Sequence, residues 1–283
     1  DSMRGMSSTL RTLSGARFNT SGRLASGDGG GASFVWSSSS TTATNAGTVF
    51  APTGWNGTDA GRFVWDATRA SWDVRMWGAI PSLLTQVDVD ASTDCTSAIQ
   101  AAIDALSAAG GGTLEFPAGS YMISSGLQLK PRVNLKGASW AKYNDDNGGT
   151  NLLTAPSRIF GKTGASPFTL LTVASTNFST MPVWLNGANL HGSVVTSYVG
   201  AVNIEGLMFD GRSQSGGSTW GTAGVKLLAI DKVSTVTVRG CGFMSTLTGA
   251  IDAYAAGLLT VDRCAMMAMG GNGIVIDECS DVV

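Results

Sequence analysis

Carboxylate groups are the side chains of this sequence that are best suited to acid–base chemistry. Hydrolysis of a glycosidic bond usually requires two carboxylates that face one cleft, roughly 5 to 9.5 Å apart, and elimination requires a base. Asp210 and Asp252 are the candidates for such catalytic roles, because they flank excursions of the chain. The alternative is that all these carboxylates are ordinary solvated charges, and it is favoured because perturbed carboxylates are a minority. The wider set on the repeated segments is Glu205, Asp210, Asp231, Asp252, Asp262, Asp277 and Glu278.

Metal and thiol chemistry have little support in the sequence. Cys95, Cys241, Cys264 and Cys279 show no CxxC spacing, and His191 is the one histidine of the chain. A zinc site needs several such ligands close together, so we expect no metal, and no other cofactor is indicated. We expect the cysteines to be small, reduced and buried side chains, and His191 to be exposed in a Gly/Asn/Ser loop.

Composition and charge exclude several classes of protein. The 283 residues carry a net charge of −2 without a stripe of lysines and arginines, so nucleic-acid binding is not expected. No apolar run approaches the roughly 20 residues that span a bilayer, so membrane insertion is not expected either. Charged residues make up 13% of the chain, apolar residues 43%, and there are 38 glycines. This composition is typical of an all-β protein with a sizeable core and many tight turns.

The last part of the chain repeats with a period of 23 residues. Val236, Leu259 and Val282 each begin an alternating segment, and related segments begin at Val133 and Val202 with longer spacing. A period of this length is too short for a βαβ unit. It fits one coil of a parallel β-solenoid, in which successive coils stack at ~4.8 Å and equivalent residues form ladders.

Alternation within a coil assigns each side chain to the inside or the outside of the solenoid. Val236 and Val238 are predicted to face the interior, and Arg239 the solvent. Cys241 and Cys264 occupy equivalent positions in successive coils. Parallel, in-register Cβ vectors do not give the dihedral angle of a disulfide, so we expect stacked free thiols.

An insertion about three coils in length interrupts the repeat between residues 137 and 202. Within it, Asn151–Thr154 and Phe168–Val173 are able to contribute strands to one long, looped coil. Residues 212–223 form a second, smaller excursion. In solenoids such insertions lie on one face and often carry binding.

A short amphipathic helix is predicted ahead of the repeats. Asp94 is placed to act as its N-cap, with Thr93 and Ser92 as alternatives. Gly110–Gly112 end the helix, because glycine tolerates left-handed backbone geometry. Ile99 and Ile103 recur on one helical face. One helix followed by a run of short strands indicates a cap on a stacked structure, so we expect it to cover the first coil near Leu114.

The chain divides into three predicted units. Residues 1–28 are an N-terminal arm that needs a partner surface to become ordered, and Gly27–Gly31 is interpreted as a flexible joint. Residues 29–80 form a small, aromatic-rich β-domain, and residues 81–283 the helix-capped start of a parallel β-helix that is incomplete at its C-terminus. Five tryptophans are predicted to pack the small domain, with sugar stacking by one of them as the alternative: Trp36, Trp55, Trp65, Trp72 and Trp77.

The stretch from Asp94 to Gly137 resembles the start of the pectate-lyase-like right-handed β-helix found in bacteriophage tailspikes and related polysaccharide-processing proteins. One departure is the segment Ile80–Asp90, which replaces a short Gly- and Asp-rich loop of that family. The upstream block from Gly29 to Trp65 is similar to the small β module that precedes the helix in many tailspikes. The motifs that carry the resemblance are Gly78-Ala79, D-x-T-x-A-I-Q-x-A-I at Asp94–Ile103, F-P-x-G-x-Y at Phe116–Tyr121, V-x-L-x-G at Val133–Gly137, and the next coil at Val202–Gly211.

The resemblance implies a phage tailspike or tail fibre, a receptor-binding protein located on the virion tail that acts at the host cell surface. It implies a parallel homotrimer, attachment to other tail or baseplate proteins through the arm and small β-domain, and binding or cleavage of capsule or lipopolysaccharide by the β-helix. Enzyme activity stays open. If present, it is that of a polysaccharide depolymerase, hydrolase or lyase, with catalytic residues beyond residue 283. The alternatives are a structural virion adaptor without activity and a secreted pectate-lyase-like enzyme.

Overall fold

Short strands dominate the computed structural model of this chain. The described residues are 13–55, 58–66, 72–82, 93–139, 157–162, 165–174, 201–211, 225–277, 279 and 281–283. Several sequence-based expectations fall outside these ranges, namely the exposure of His191, the role of Glu278, the strand at Asn151–Thr154 and the excursion at 212–223.

The N-terminal part of the structure is a four-stranded antiparallel sheet. Its strands are β1 (Arg17–Asn19), β2 (Ser33–Ser37), β3 (Val49–Phe50) and β4 (Arg62–Trp65), in the order β1-β2-β4-β3. Trp36 is 1% exposed and packs against Phe63 and, edge to face, against Trp55. Trp65 and Trp72 form a second edge-to-face pair, and Trp72 stacks on Trp77. The predicted packing role of the tryptophans is therefore confirmed, because large aromatic side chains supply most of the core of so small a sheet.

Two expectations about the N-terminal segment are wrong for the residues described. Arg17–Asn19 is not an arm awaiting another molecule, because β2 of the same chain pairs with it along its length. The glycine-rich segment at 27–31 is not a free joint either. The Asp28 carboxylate accepts backbone N–H groups from Arg23, Leu24 and Gly30 at 2.7–3.1 Å and so ties the loop together. The domain boundaries at residues 28 and 80 remain predictions.

The described remainder forms three parallel sheets that wrap around one apolar interior. Neighbouring strands of the seven-stranded sheet are, in order, β5 (Trp72–Asp73), β6 (Gly112–Phe116), β9 (Val133–Gly137), β12 (Val202–Glu205), β15 (Thr235–Arg239), β18 (Leu258–Asp262) and β21 (Asp281–Val282). The first five-stranded sheet has the order β7 (Gly119–Ile123), β10 (Ser157–Gly161), β13 (Met208–Asp210), β16 (Gly242–Thr246) and β19 (Ala265–Met269). The second has the order β8 (Leu127–Leu129), β11 (Leu171–Ala174), β14 (Lys226–Asp231), β17 (Gly249–Tyr254) and β20 (Asn272–Asp277).

The register of these sheets follows the predicted repeat. Val236 pairs with Leu259, and Leu259 pairs with Val282, so each rung is one 23-residue step. Val236 and Val238 are fully buried, whereas Arg239 is exposed. The predicted stacking of coils, with alternate side chains inside and outside, is confirmed.

The described residues of the long insertion between residues 137 and 202 contribute one rung rather than several. Its described strands are β10 and β11, and β11 overlaps the strand expected at Phe168–Val173. The sequence pattern did not predict β10. All five of its residues are buried, so it lacks the alternation of a half-exposed strand.

The predicted helix caps the first rung. Helix α1 spans Thr96–Ala108 and packs on β6 and β8, with Ile99 and Ile103 fully buried. Its N-cap is Cys95, one residue later than expected, yet the Asp94 carboxylate still accepts the backbone N–H of Thr96 at 2.9 Å. The helix ends where predicted, because Gly110 follows it with a φ of 103°. Within the described ranges, no helix has the length and apolarity that crossing a bilayer requires.

Candidate functional site

The outer face of the seven-stranded sheet presents a ladder of uncharged polar side chains. Neighbouring rungs place Thr113 beside Asn134, Asn203 beside Thr237, and Thr237 beside Thr260. The Asn134 side chain accepts the backbone N–H of Asn203 at 2.9 Å and so joins the two halves of the ladder. The row therefore offers amide and hydroxyl groups one rung apart, at intervals of ~4.8 Å.

A charged ladder runs parallel to the first, two residues further along each strand. Its members are register partners in the order Glu115, Lys136, Glu205, Arg239 and Asp262. The signs of the charges therefore alternate along the axis of the solenoid. At one end of the ladder, Arg239 Nε lies 3.1 Å from Asp262 Oδ2.

Part of these two ladders lines a groove of about 480 Å³, here called the ladder groove. Polar side chains and exposed strand backbone make a surface suited to hydrogen bonding with hydroxyl-rich ligands. Glu205 is the one carboxylate among the described residues that line it, so the groove itself does not pair two carboxylates as a glycosidase does. The groove is lined by Thr113, Asn134, Leu135, Lys136, Asn203, Ile204, Glu205, Thr237 and Arg239.

Sequence reasoning did not identify the ladder groove, although a signal was present. The variable positions of the V-x-L-x-G repeat are Asn134 and Lys136 in one coil and Asn203 and Glu205 in the next. Alternation along each strand predicts only that these positions face the solvent. The repeat stacks them on one another, and this stacking makes a row of single polar residues into a continuous polar surface.

The structure places Asp210 away from this groove, in the first five-stranded sheet. Its neighbour Phe209 points into the interior and stacks on Phe243, so Asp210 projects from the opposite face of β13. The Asp210 side chain is 0% exposed, and its Oδ2 lies 2.5 Å from Nη2 of Arg158, which is 2% exposed. A carboxylate in such a buried ion pair is not free to contact a polymer at the surface.

Asp252 lies in the middle of β17, in the second five-stranded sheet, with Ala229 and Val275 as its register partners. It forms an ion pair with Lys226 and is 26% exposed. Asp210 and Asp252 are thus on different sheets and each has a cationic partner. Their catalytic roles remain predictions without support from this placement.

The remaining predicted carboxylates are distributed along the solenoid. Asp262 contacts both Arg239 and Arg263, Asp231 lies 3.6 Å from Lys232, and Asp277 is exposed at the end of β20. Within the described ranges, no three His, Cys, Asp or Glu side chains come together as metal ligands would.

The two ladder cysteines are free thiols, as the sequence predicts. Cys241 is buried and Cys264 half-buried in the next rung. The interaction between the two thiols, together with burial, raises the pKa of Cys241, and the same interaction lowers the pKa of Cys264 to about 7. Elsewhere, burial raises the pKa of Cys95 to about 12, so that thiol is not a nucleophile at neutral pH.

This chain is similar to known proteins in sequence and in structure. Residues 86–249 match the family described as rhamnogalacturonase A/epimerase, pectate lyase-like. Mannuronan C5-epimerase AlgE1 from Azotobacter vinelandii is 50% identical over 56 residues, which cover 17% of this chain and 4% of the epimerase. The tailspike protein gp49 of Acinetobacter baumannii bacteriophage Fri1, a capsular polysaccharide depolymerase, is 15% identical, with a TM-score of 0.53 over 93% of this chain and 45% of its own.

The likeness to the tailspike confirms the predicted fold class, a right-handed parallel β-helix capped by one short helix. This chain spans less than half the length of the tailspike and a small fraction of the epimerase. Activity, substrate and partners of the whole protein are therefore matters for a proposal.

Proposed function

Because this chain belongs to the rhamnogalacturonase A/epimerase, pectate lyase-like family, we propose that it is the N-terminal portion of a tailspike-type receptor-binding protein. The observation that carries this proposal is the shared fold with a phage tailspike over 93% of the chain. In this proposal the β-helix binds host capsule or lipopolysaccharide through the ladder groove. The protein acts at the cell surface from the virion tail.

The proposal assigns virion attachment to the N-terminal segment, residues 1–80, which contains the four-stranded antiparallel sheet. The antiparallel sheet supports this assignment, because its strands are antiparallel whereas those of the stacked coils that follow are parallel. Other tail or baseplate proteins are the partners proposed for it. A deletion of residues 1–66, which removes the antiparallel sheet and keeps β5 of the seven-stranded sheet, should abolish incorporation of the spike into virions and leave glycan binding intact.

The proposal includes a parallel homotrimer. Light scattering of the purified chain should give a mass near three times 29.0 kDa. A monomer whose mass does not change with concentration would contradict this part of the proposal and would leave the glycan-binding part standing.

A second candidate function is binding or scaffolding without cleavage by these 283 residues. It is favoured by the ion pairs that occupy Asp210 and Asp252 and by the single carboxylate of the ladder groove. In this case any depolymerase activity belongs to a longer protein.

One experiment on the purified 283-residue chain distinguishes binding from cleavage. A panel of purified bacterial capsular polysaccharides and lipopolysaccharides is immobilised, binding is measured by biolayer interferometry, and release of reducing ends or unsaturated sugars is measured in parallel. We expect binding to at least one polymer without release of product. Product release by this chain would overturn the second candidate, and binding to none of the polymers would overturn the proposed function.

The ladder groove is tested in the same assay with the double variant Asn134→Ala/Asn203→Ala. It removes two side-chain amides and should weaken binding to the recognised polymer about five- to 150-fold, since each lost hydrogen bond costs about 0.5–1.5 kcal/mol. Thr260→Ala, on the same outer face but beyond the groove residues, is the matched control.

A further inference from the structure

We propose that the ladder groove selects an acidic polysaccharide that carries an anionic group on every second sugar and runs along the solenoid axis. This inference rests on the proposed function and adds the substrate class. It comes from the order of charges at one register position, where Lys136, Glu205 and Arg239 occupy three successive rungs.

The two cations of the groove have a fixed separation. Lys136 and Arg239 each pair in register with Glu205, so they are two rungs apart. Two rungs correspond to ~10 Å along the axis. An extended chain of pyranose sugars advances by about one rung per sugar. The cations therefore face sugars n and n+2 of a chain that lies along the groove.

Both cations have donors available for a ligand. Lys136 is exposed, and in the described part of the chain its ammonium group makes no ion pair or hydrogen bond. Arg239 is 51% exposed and uses Nε towards Asp262, which leaves its two terminal nitrogens without a partner among the described residues. A guanidinium edge of this kind binds a carboxylate in bidentate fashion, and an ammonium group binds it as a point charge.

Glu205 disfavours polymers that carry an anionic group on the sugar between the two cations. It is exposed between the two cations and pairs with neither of them within the described residues. A carboxylate on sugar n+1 would meet it at close range, and like charges placed opposite each other are repelled. An uncharged sugar is instead met by the amides of Asn134 and Asn203 in the adjacent ladder, which suit hydroxyl or N-acetyl groups.

Three soluble polymers test the spacing directly: hyaluronan, with a carboxylate on every second sugar; polygalacturonate, with one on every sugar; and dextran, which is neutral. Affinities are measured by isothermal titration calorimetry at low and moderate salt. We expect hyaluronan to bind at least tenfold more tightly than the other two, and its affinity to fall as salt is added.

Substitutions of Lys136, Arg239 and Glu205 test whether these residues cause the preference for hyaluronan. Lys136→Gln and Arg239→Gln should each weaken hyaluronan binding about tenfold, the scale of one charge-assisted hydrogen bond. Glu205→Gln should raise the affinity for polygalacturonate and narrow its difference from hyaluronan. Lys162→Gln, an equal change of charge at an exposed residue after β10, is the control and should change nothing.

The outcomes separate this inference from the function on which it rests. If a panel polysaccharide binds but hyaluronan is not preferred over polygalacturonate, or the preference survives Lys136→Gln and Arg239→Gln, the charge-spacing inference is overturned and the proposed function stands. If no polysaccharide of the panel and none of the three probes binds, both are overturned.

Discussion

Arg158 and Asp210 lie 52 residues apart in the chain, yet Nη2 of the first is 2.5 Å from Oδ2 of the second. Both side chains are almost completely buried, and the Arg158 guanidinium also lies 4.6 Å from the centre of the Phe160 ring. The pair joins β10, from the long insertion, to β13 of the regular coils. It indicates that Asp210 holds the insertion rung in place.

The first prediction concerns removal of this charge. Asp210→Asn leaves the buried Arg158 uncompensated and should lower the free energy of unfolding by about 3–5 kcal/mol. Arg158→Met/Asp210→Leu removes both charges and should recover most of that loss. Urea unfolding followed by fluorescence measures both variants.

Asp252→Asn is the matched control for the first prediction, because the Lys226 pair is partly exposed and should contribute no more than about 1 kcal/mol. A catalytic role for Asp210 predicts the reverse pattern. In that case Asp210→Asn would keep the stability of the chain and abolish cleavage of a recognised polysaccharide.

The second prediction concerns Gln100, which ties helix α1 to the open edge of the solenoid. Its Nε2 donates to the carbonyl of Gln128 at 3.0 Å, and its Oε1 accepts the backbone N–H of the same residue at 2.8 Å. The Gln100 side chain thus makes hydrogen bonds to the open edge of β8 that a neighbouring strand would otherwise make. Gln100→Ala removes both of these hydrogen bonds and should cost about 1–3 kcal/mol, since each contributes about 0.5–1.5 kcal/mol.

Ser97→Ala, at an exposed position of the same helix, controls for changes in helix propensity. Thermal and urea unfolding measure the effect on both variants. Equal stability of Gln100→Ala and Ser97→Ala would show that the edge of β8 does not depend on this side chain.

The features that the sequence predicted are those that depend on local pattern. The rungs at Val236, Leu259 and Val282 were predictable, because each coil buries the same alternating residues at the same spacing. Helix α1 was predictable from the recurrence of Ile99 and Ile103 on one face. In both cases the residues that bury the element lie within the element itself.

The features that the sequence did not predict depend on contacts between distant segments. Strand β10 contains Ser157 and Arg158, which are buried only because β7 and β13 flank the strand and Asp210 compensates the charge. The charge order of the ladder groove depends on register across the insertion, from Lys136 to Glu205. A local sequence pattern shows neither the burial of β10 nor the register across the insertion. The loops between rungs vary in length, so spacing along the chain does not fix which residues become neighbours.

The third prediction concerns the thiols of Cys241 and Cys264. Because the interaction with Cys241 lowers the pKa of Cys264 to about 7, we expect Cys264 to form the thiolate more readily than Cys241 at neutral pH. Iodoacetamide should therefore alkylate Cys264 before buried Cys241, with a rate that rises around pH 7. In Cys241→Ala the midpoint should move up towards the ordinary thiol value of about 8.5.

Peptide mass spectrometry measures the alkylation at each site, and Cys279→Ala is the control that leaves the ladder pair intact. Protection of both ladder cysteines, relieved only by a reductant, would reveal a disulfide and contradict the stacked free thiols.

The fourth prediction concerns the pH dependence of the N-terminal sheet. Burial raises the pKa of Asp28, but backbone N–H groups of Ala25, Arg23, Leu24 and Gly30 outweigh it and lower the value to about 2. A carboxyl whose pKa is lower in the folded state stabilises the fold above its ordinary pKa of about 3.9 and loses that contribution as the pH falls towards 2. Asp28→Ala should therefore lower the melting temperature at pH 7, and the difference from the parent chain should shrink between pH 4 and pH 2.

Tryptophan fluorescence is the readout for Asp28→Ala, because Trp36 and Trp65 are buried in the sheet next to this loop. Asp281→Ala, at an exposed position in β21, removes a carboxyl far along the chain and should give a difference that does not depend on pH in this way. If the Asp28→Ala difference is as large at pH 2 as at pH 7, the carboxylate does not hold the loop through its charge, and the stability must come from contacts that protonation leaves unchanged.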